Sequence, residues 1–211
     1  MLTLFYCPGL CSLASHVTIE ETGAPYQTQL VNVFKGEHVK DEYKKINPRN
    51  KVPALSIDGN VLVENVAIMY YLAKNFPNAN LAPKDPAAEA RWVSIMAWLS
   101  NTLHPTFTHI AVPARFTEDK AAHPAIQETA KKSYWSHLSE IDGMLSGGPW
   151  VMGPQYTTCD PYALVFYSWG GRANLPMQDL KNYTAWKDRM LKRPAVHKIL
   201  EREESPLVKA A

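Results

Sequence analysis

Two thiols, Cys7 and Cys11, and two hydroxyls, Tyr6 and Ser12, stand within the octapeptide Phe5-Tyr6-Cys7-Pro8-Gly9-Leu10-Cys11-Ser12. Sulfur chemistry needs a thiolate, and an ordinary thiol with a pKa near 8.5 is only a few per cent ionised at neutral pH. The unpaired N–H groups in the first turn of a helix carry partial positive charge and lower the pKa of a sulfur held there. If a helix begins at Cys11-Ser12, the octapeptide is suited to holding a nucleophilic sulfur, either its own or that of a bound thiol. The plainer alternative is a small buried cysteine in an ordinary strand–turn–helix junction.

The flanking residues supply such a junction. Residues 1–6 are an apolar run in which Leu2, Leu4 and Tyr6 share one face, the pattern of a strand. Pro8-Gly9 marks a turn, and residues from Ser12 onward have helical spacing until Gly23 ends them. Residues 26–33 read as a second strand, completing a right-handed, parallel βαβ unit. A short helix is predicted over 39–46, then a turn at Asn47-Pro48-Arg49-Asn50 and a strand over 51–57. Asp58-Gly59 between apolar runs predicts a tight hairpin to a strand at 61–63, and a helix follows over 66–76. The order β-α-β-(α)-β-β-α is that of a thioredoxin-like α+β domain with a mixed sheet, here residues 1–77.

Pro77, Pro83 and Pro86 lie among Asn and Asp residues, so 78–86 reads as a linker. From 87 to 211 the pattern is all-α, with helices predicted at 87–103, 126–145, 161–171, 180–192 and 194–203. The segment 161–171 is apolar on every side and is expected to be a buried central helix. His104 precedes Pro105, which disfavours helical geometry, so the first of these helices is expected to bend or end there. Asn101, one turn earlier, is expected to share the face of His104. Phe107, Phe116 and Trp169, with Tyr162, are candidates to line an apolar pocket, although such spacing equally suits a core.

The chain has 211 residues, 46% of them apolar, and a formal net charge of +2. That is enough for one large or two small packed domains, and it gives no reason to expect nucleic acid or an anionic membrane as partner. Cysteines at 7, 11 and 159 make neither a disulfide framework nor a metal-ligand pattern. No secretory signal or membrane-spanning run is visible, so a reducing, cytoplasmic location is expected.

Several local patterns together resemble the cytosolic glutathione transferase superfamily, most closely its bacterial beta class. They are Phe5-Tyr6…Pro8-Gly9…Cys11-Ser12, Asn47-Pro48…Val52-Pro53-Ala54-Leu55, Glu64-Asn65…Ala67-Ile68…Tyr71-Leu72, Thr157-x-x-Asp160 and Arg193-Pro194. The resemblance implies glutathione as co-substrate, with its sulfur facing Cys11. Donors from Cys11, Ser12, Tyr6 and His104 would hold that sulfur as thiolate. It implies a cis Pro53 and backbone pairing of the tripeptide at Val52, a form of strand addition. Glu64 and Asn65 would grip the γ-glutamyl end at a helix start, Lys35 and Lys51 the glycine carboxylate, and Asn101 would stand near His104. A hydrophobic electrophile would then lodge against the helical domain, and the protein would be a homodimer. Two residues depart from the beta-class pattern: Asn65 in place of the common glycine, and Pro105 in place of lysine. A thiol–disulfide oxidoreductase or peroxidase using Cys11 is the alternative activity, and a non-catalytic binder of glutathione or hydrophobic ligands is the third reading.

Overall fold

The computed structural model describes residues 1–209. Strand β1 (Leu2–Tyr6) is followed by helix α1 (Ser12–Glu21) and by β2 (Tyr26–Leu30), which runs parallel to β1. A short helix, α2 (Asp41–Lys44), precedes the hairpin of β3 (Ala54–Ile57) and β4 (Asn60–Val63). Asp58 and Gly59 both take positive φ, at 50° and 90°, as a two-residue hairpin turn requires. β3 runs antiparallel to β1, so the sheet order is β2-β1-β3-β4. Helix α3 (Asn65–Asn75) returns across it.

Alternation along β1 sends Leu2 and Leu4 to one face, where they meet Ile19, Ile68 and Leu72 of α1 and α3. Phe5 and Cys7 point to the other face and pack with Val31, Tyr43 and Val52. Asp85 opens the helical part by accepting from the Ala88 N–H at 2.9 Å, with Pro86 in the first turn. Seven helices follow: α4 (Pro86–Trp98), α5 (His104–Ala111), α6 (His123–Met144), α7 (Cys159–Arg172), α8 (Lys181–Leu191), α9 (Pro194–Arg202) and α10 (Pro206–Lys209).

Of the expected bend or end at His104, the end is corrected. A π turn over Leu99–Leu103 carries α4 directly into α5, and the His104 N–H bonds to the Leu99 carbonyl. Proline lacks an N–H and its ring crowds the carbonyl four residues back; bonds that run i to i+5 widen the turn and absorb both defects. Other boundaries differ at their ends. The second strand stops at Leu30, the third begins at Ala54, and α6 starts three residues before the apolar periodicity shows it.

Helix α1 positions the rest. Residues 12–19 are all buried, because α3 and the sheet cover one side of the helix while α7 and α9 cover the other. Cys11, Leu13, Ala14 and Val17 belong to the same continuous core as Trp92, Tyr162, Phe166 and Trp186 of the helical part. The junction between the two parts is therefore dry and fixes the start of α1 from both directions.

Candidate active site

The loop between β1 and α1 is held by three sets of bonds. Ser12 Oγ accepts from the Cys7 N–H at 3.1 Å and donates to the Cys7 carbonyl at 3.0 Å, closing the loop on itself. Gly9 sits at φ +74°, where a side chain would be strained. Its carbonyl accepts from Trp169 Nε1 at 3.1 Å and Arg172 Nη1 at 2.7 Å, which ties the loop to α7. Cys11 caps α1, and its buried thiol donates to the Val52 carbonyl at 3.6 Å. Burial pushes the Cys11 thiol up to about 12; the nearby Lys51 ammonium opposes this only weakly. Cys11 is thus a protonated donor, and its S–H reaches the segment that leads into β3.

There the Val52–Pro53 bond is cis, and the Lys51 carbonyl is fixed by Tyr43 Oη and Asn47 Nδ2, both at 2.7 Å. Glu64, the residue before α3, takes φ 74° and ψ 122°, a conformation costing about 1–3 kcal/mol in a residue with a side chain. Its exposed carboxylate is paired with Arg49. The first N–H groups of α3 follow directly, so a cationic and an anionic group of one ligand can be met side by side here.

Behind this edge runs a buried polar chain. Asn65 Oδ1 accepts from Ser15 Oγ, and its Nδ2 donates to the Cys11 carbonyl at 3.0 Å. The Asn65 and Ser100 side chains lie close enough to the Tyr162 hydroxyl to lower its pKa, against the larger rise that burial causes. The Tyr162 hydroxyl in turn lies 3.4 Å from His104 Nδ1. The His104 ring stands edge-on to Trp169, with centroids 5.1 Å apart, and Trp169 stacks on Phe107 at 4.4 Å. Burial lowers the His104 pKa to about 4, helped by the positive charges of Lys51 and Arg115, so the ring is neutral at pH 7.

The structure brings Cys11, Val52, Pro53, Asn65 and His104 together, with Glu64 and Lys51 at the open edge. It gives five candidates other surroundings. The Ser12 hydroxyl is bonded to Cys7 through both its donor and its acceptor and is fully buried. Tyr6 points to the α1–α3 face of the sheet, its ring 4.7 Å from His16, and burial followed by Glu203 raises its pKa. Asn101 is exposed and accepts from Thr102 Oγ1; the wider π turn rotates it away and brings Ser100, four residues before His104, into its place. Phe116 is exposed and stacks on His109 at 3.6 Å, apart from Phe107 and Trp169. Lys35 stands exposed at the end of the turn Val33–Lys35, outside the bonded cluster. Asn65 is retained, but its amide is used internally and only its helix-start backbone is left for a ligand.

A cleft of about 420 Å³ against the β1–α1 loop is walled by Pro8, Leu10, Phe34, Trp169, Arg172 and Glu203. Tyr162 and Ser100 are the residues sequence reasoning missed in this role. Tyr162 reads as one more aromatic in an apolar helix, and no local signal marks a hydroxyl whose partners lie 58, 62 and 97 residues away.

A thioredoxin-like sheet with a cis proline opposite the start of α1, joined to an α-helical bundle, defines a thiol-binding class of protein. The family described as "Glutathione S-transferase, N-terminal domain" matches residues 1–74. Glutathione S-transferase GstA of Escherichia coli O157:H7 is 32% identical over 205 residues, spanning 96% of this chain and 98% of that one. A glutathione transferase homologue from Sulfitobacter, solved with bound glutathione, superposes with a TM-score of 0.91 at 29% identity over 96% of this chain and 98% of its own. The beta-class enzyme of Sphingomonas chungbukensis superposes at 0.85 with 31% identity over 95% and 98%. The chain belongs to the glutathione S-transferase family.

Proposed function

We propose that the protein transfers the glutathione thiolate to a hydrophobic electrophile, with the sulfur bound between the start of α1 and His104. The tripeptide backbone lies along Val52, and Glu64 meets its α-amino group. The first turn of α3 takes the γ-glutamyl carboxylate, and Lys51 takes the glycine carboxylate. The Cys11 thiol, the N–H groups of the first turn of α1 and neutral His104 are the donors that favour loss of the glutathione proton to solvent. The thiolate then attacks the electrophile in the cleft beside Trp169 and Phe107. A carbon–sulfur bond forms, and the leaving group departs with the electron pair. Positioning and fixed dipoles carry the rate.

The observation that carries this reading is the Cys11 thiol at the start of α1, bonded to the Val52 carbonyl beside the cis Val52–Pro53 bond. It also separates conjugation from the oxidoreductase alternative, since a thiol held near 12 is a poor nucleophile. With glutathione and 1-chloro-2,4-dinitrobenzene, turnover is expected. At neutral pH, Cys11 in the ligand-free protein is expected to react with iodoacetamide about a thousandfold more slowly than free cysteine, following its thiolate fraction. Rapid alkylation of Cys11, together with disulfide reduction and no conjugation, would contradict the reading.

The division into residues 1–77, a linker at 78–86 and 87–211 is part of the same proposal; 210 and 211 lie outside the described residues. A homodimer is supported by Tyr70 and Val93, which stay exposed on the adjoining helices α3 and α4. A reducing, cytoplasmic setting is supported by the free thiols of Cys7, Cys11 and Cys159. Among the described residues no helix is long and apolar enough to cross a membrane.

A further inference from the structure

The Tyr162 hydroxyl is 1% exposed at the residue level and sits between both halves of the site. The Asn65 and Ser100 side chains lie beside its oxygen. A buried hydroxyl needs an acceptor for its proton, and His104 Nδ1 stands 3.4 Å away. An imidazole that accepts at Nδ1 carries its proton on Nε2. Asn65, beside the hydroxyl, is fixed, since its Oδ1 is taken by Ser15 and its Nδ2 by the Cys11 carbonyl.

We infer that Tyr162 is a positioning residue for glutathione ionisation: its buried hydroxyl, with His104 Nδ1 as the acceptor in reach, holds His104 as the Nε2–H tautomer that donates to the glutathione sulfur. The inference rests on the site proposed above and adds to it the group that selects the tautomer. The ring also stays uncharged, because burial holds its pKa near 4, so the donor is a neutral imidazole throughout the neutral range. The Trp169 and Phe166 rings, with centroids 5.1 and 6.4 Å from His104, keep the imidazole from rotating to offer its other nitrogen.

Nitrogen-15 spectra of the histidine rings in the full-length protein test this directly. The His104 Nδ1 resonance is expected at the unprotonated position and Nε2 at the protonated one, unchanged from about pH 5.5 to 8. A proton on Nδ1 in the wild type overturns the inference with no variant needed. In Tyr162→Phe, mixed tautomers are expected. The thiol pKa of bound glutathione should rise by about one unit, kcat/KM at neutral pH should fall about tenfold, and KM for glutathione should stay within about twofold. An unchanged tautomer and thiol pKa in a folded Tyr162→Phe protein overturns the inference as well. His104→Gln separates the two levels. If it shifts the thiol pKa while Tyr162→Phe does not, only the role of Tyr162 fails; if neither shifts it, the proposed site itself fails.

Discussion

Replacing His104 with alanine is expected to lower kcat/KM for glutathione conjugation about a hundredfold, the usual loss when one fixed donor to a developing charge is removed. KM for glutathione is expected to change little, because Glu64, the start of α3 and Val52 hold the tripeptide without His104. The protein should still fold, since Leu99, Leu103 and Phe107 bury the same helix on either side of the ring. The pH dependence follows from the sign of the shift. Burial lowers the His104 pKa from 6.5 to about 4, so the ring neither gains nor loses a proton between pH 5 and 8. The wild-type profile of kcat/KM should therefore show no histidine limb near 6.5, only the rise of the glutathione thiol. In the alanine variant that rise should move toward the alkaline side. Steady-state kinetics across this range decide the matter. A wild-type kcat/KM that falls as the pH rises through 6.5, with the fall abolished by the substitution, would make imidazolium the acting form and contradict the geometry.

The largest expected loss of stability comes from Asp160→Ala. Asp160 is fully buried; its Oδ1 accepts from the Val151 N–H and Trp186 Nε1, both at 3.0 Å, and its Oδ2 from the Thr157 N–H at 2.9 Å. Burial raises its pKa to about 6, and these donors oppose the rise. Alanine would leave the donors unpaired in a dry core, at about 1–2 kcal/mol each. A loss of about 4 kcal/mol is therefore expected, equivalent to a melting temperature lower by about 12 °C for a chain of this length. Denaturant unfolding with unchanged slope measures it. A loss under about 1 kcal/mol would show that water enters and satisfies the donors. Because α7 carries Tyr162 and Trp169, the folded fraction of the variant should also conjugate more slowly.

How much of this could be read beforehand depends on the range of the interaction. The turn at Pro8-Gly9, the Asp58-Gly59 hairpin and the Thr157-x-x-Asp160 cap are local chemistry, and each stands where its residues place it. The burial of α1 on every side is not local. Its own apolar periodicity is weak because Ser12, Ser15, His16 and Thr18 are buried through hydrogen bonds and through α9, a helix more than 170 residues away. The phase of the helix at His104 departs from the sequence pattern for a different reason. A three-and-a-half-residue rhythm puts Asn101 beside His104, but the π turn forced by Pro105 substitutes Ser100. Tyr6 fits the octapeptide in sequence yet faces His16, since neighbours along a strand alternate sides.

The ultraviolet absorbance of the glutathione thiolate, titrated against pH on the enzyme, tests most directly whether this helix start ionises the bound sulfur. The expected apparent pKa is about 6.5, roughly two units below an ordinary thiol, which corresponds to about 2.7 kcal/mol of preference for the anion. A bound thiol that still titrates at 8.5 or above would contradict it.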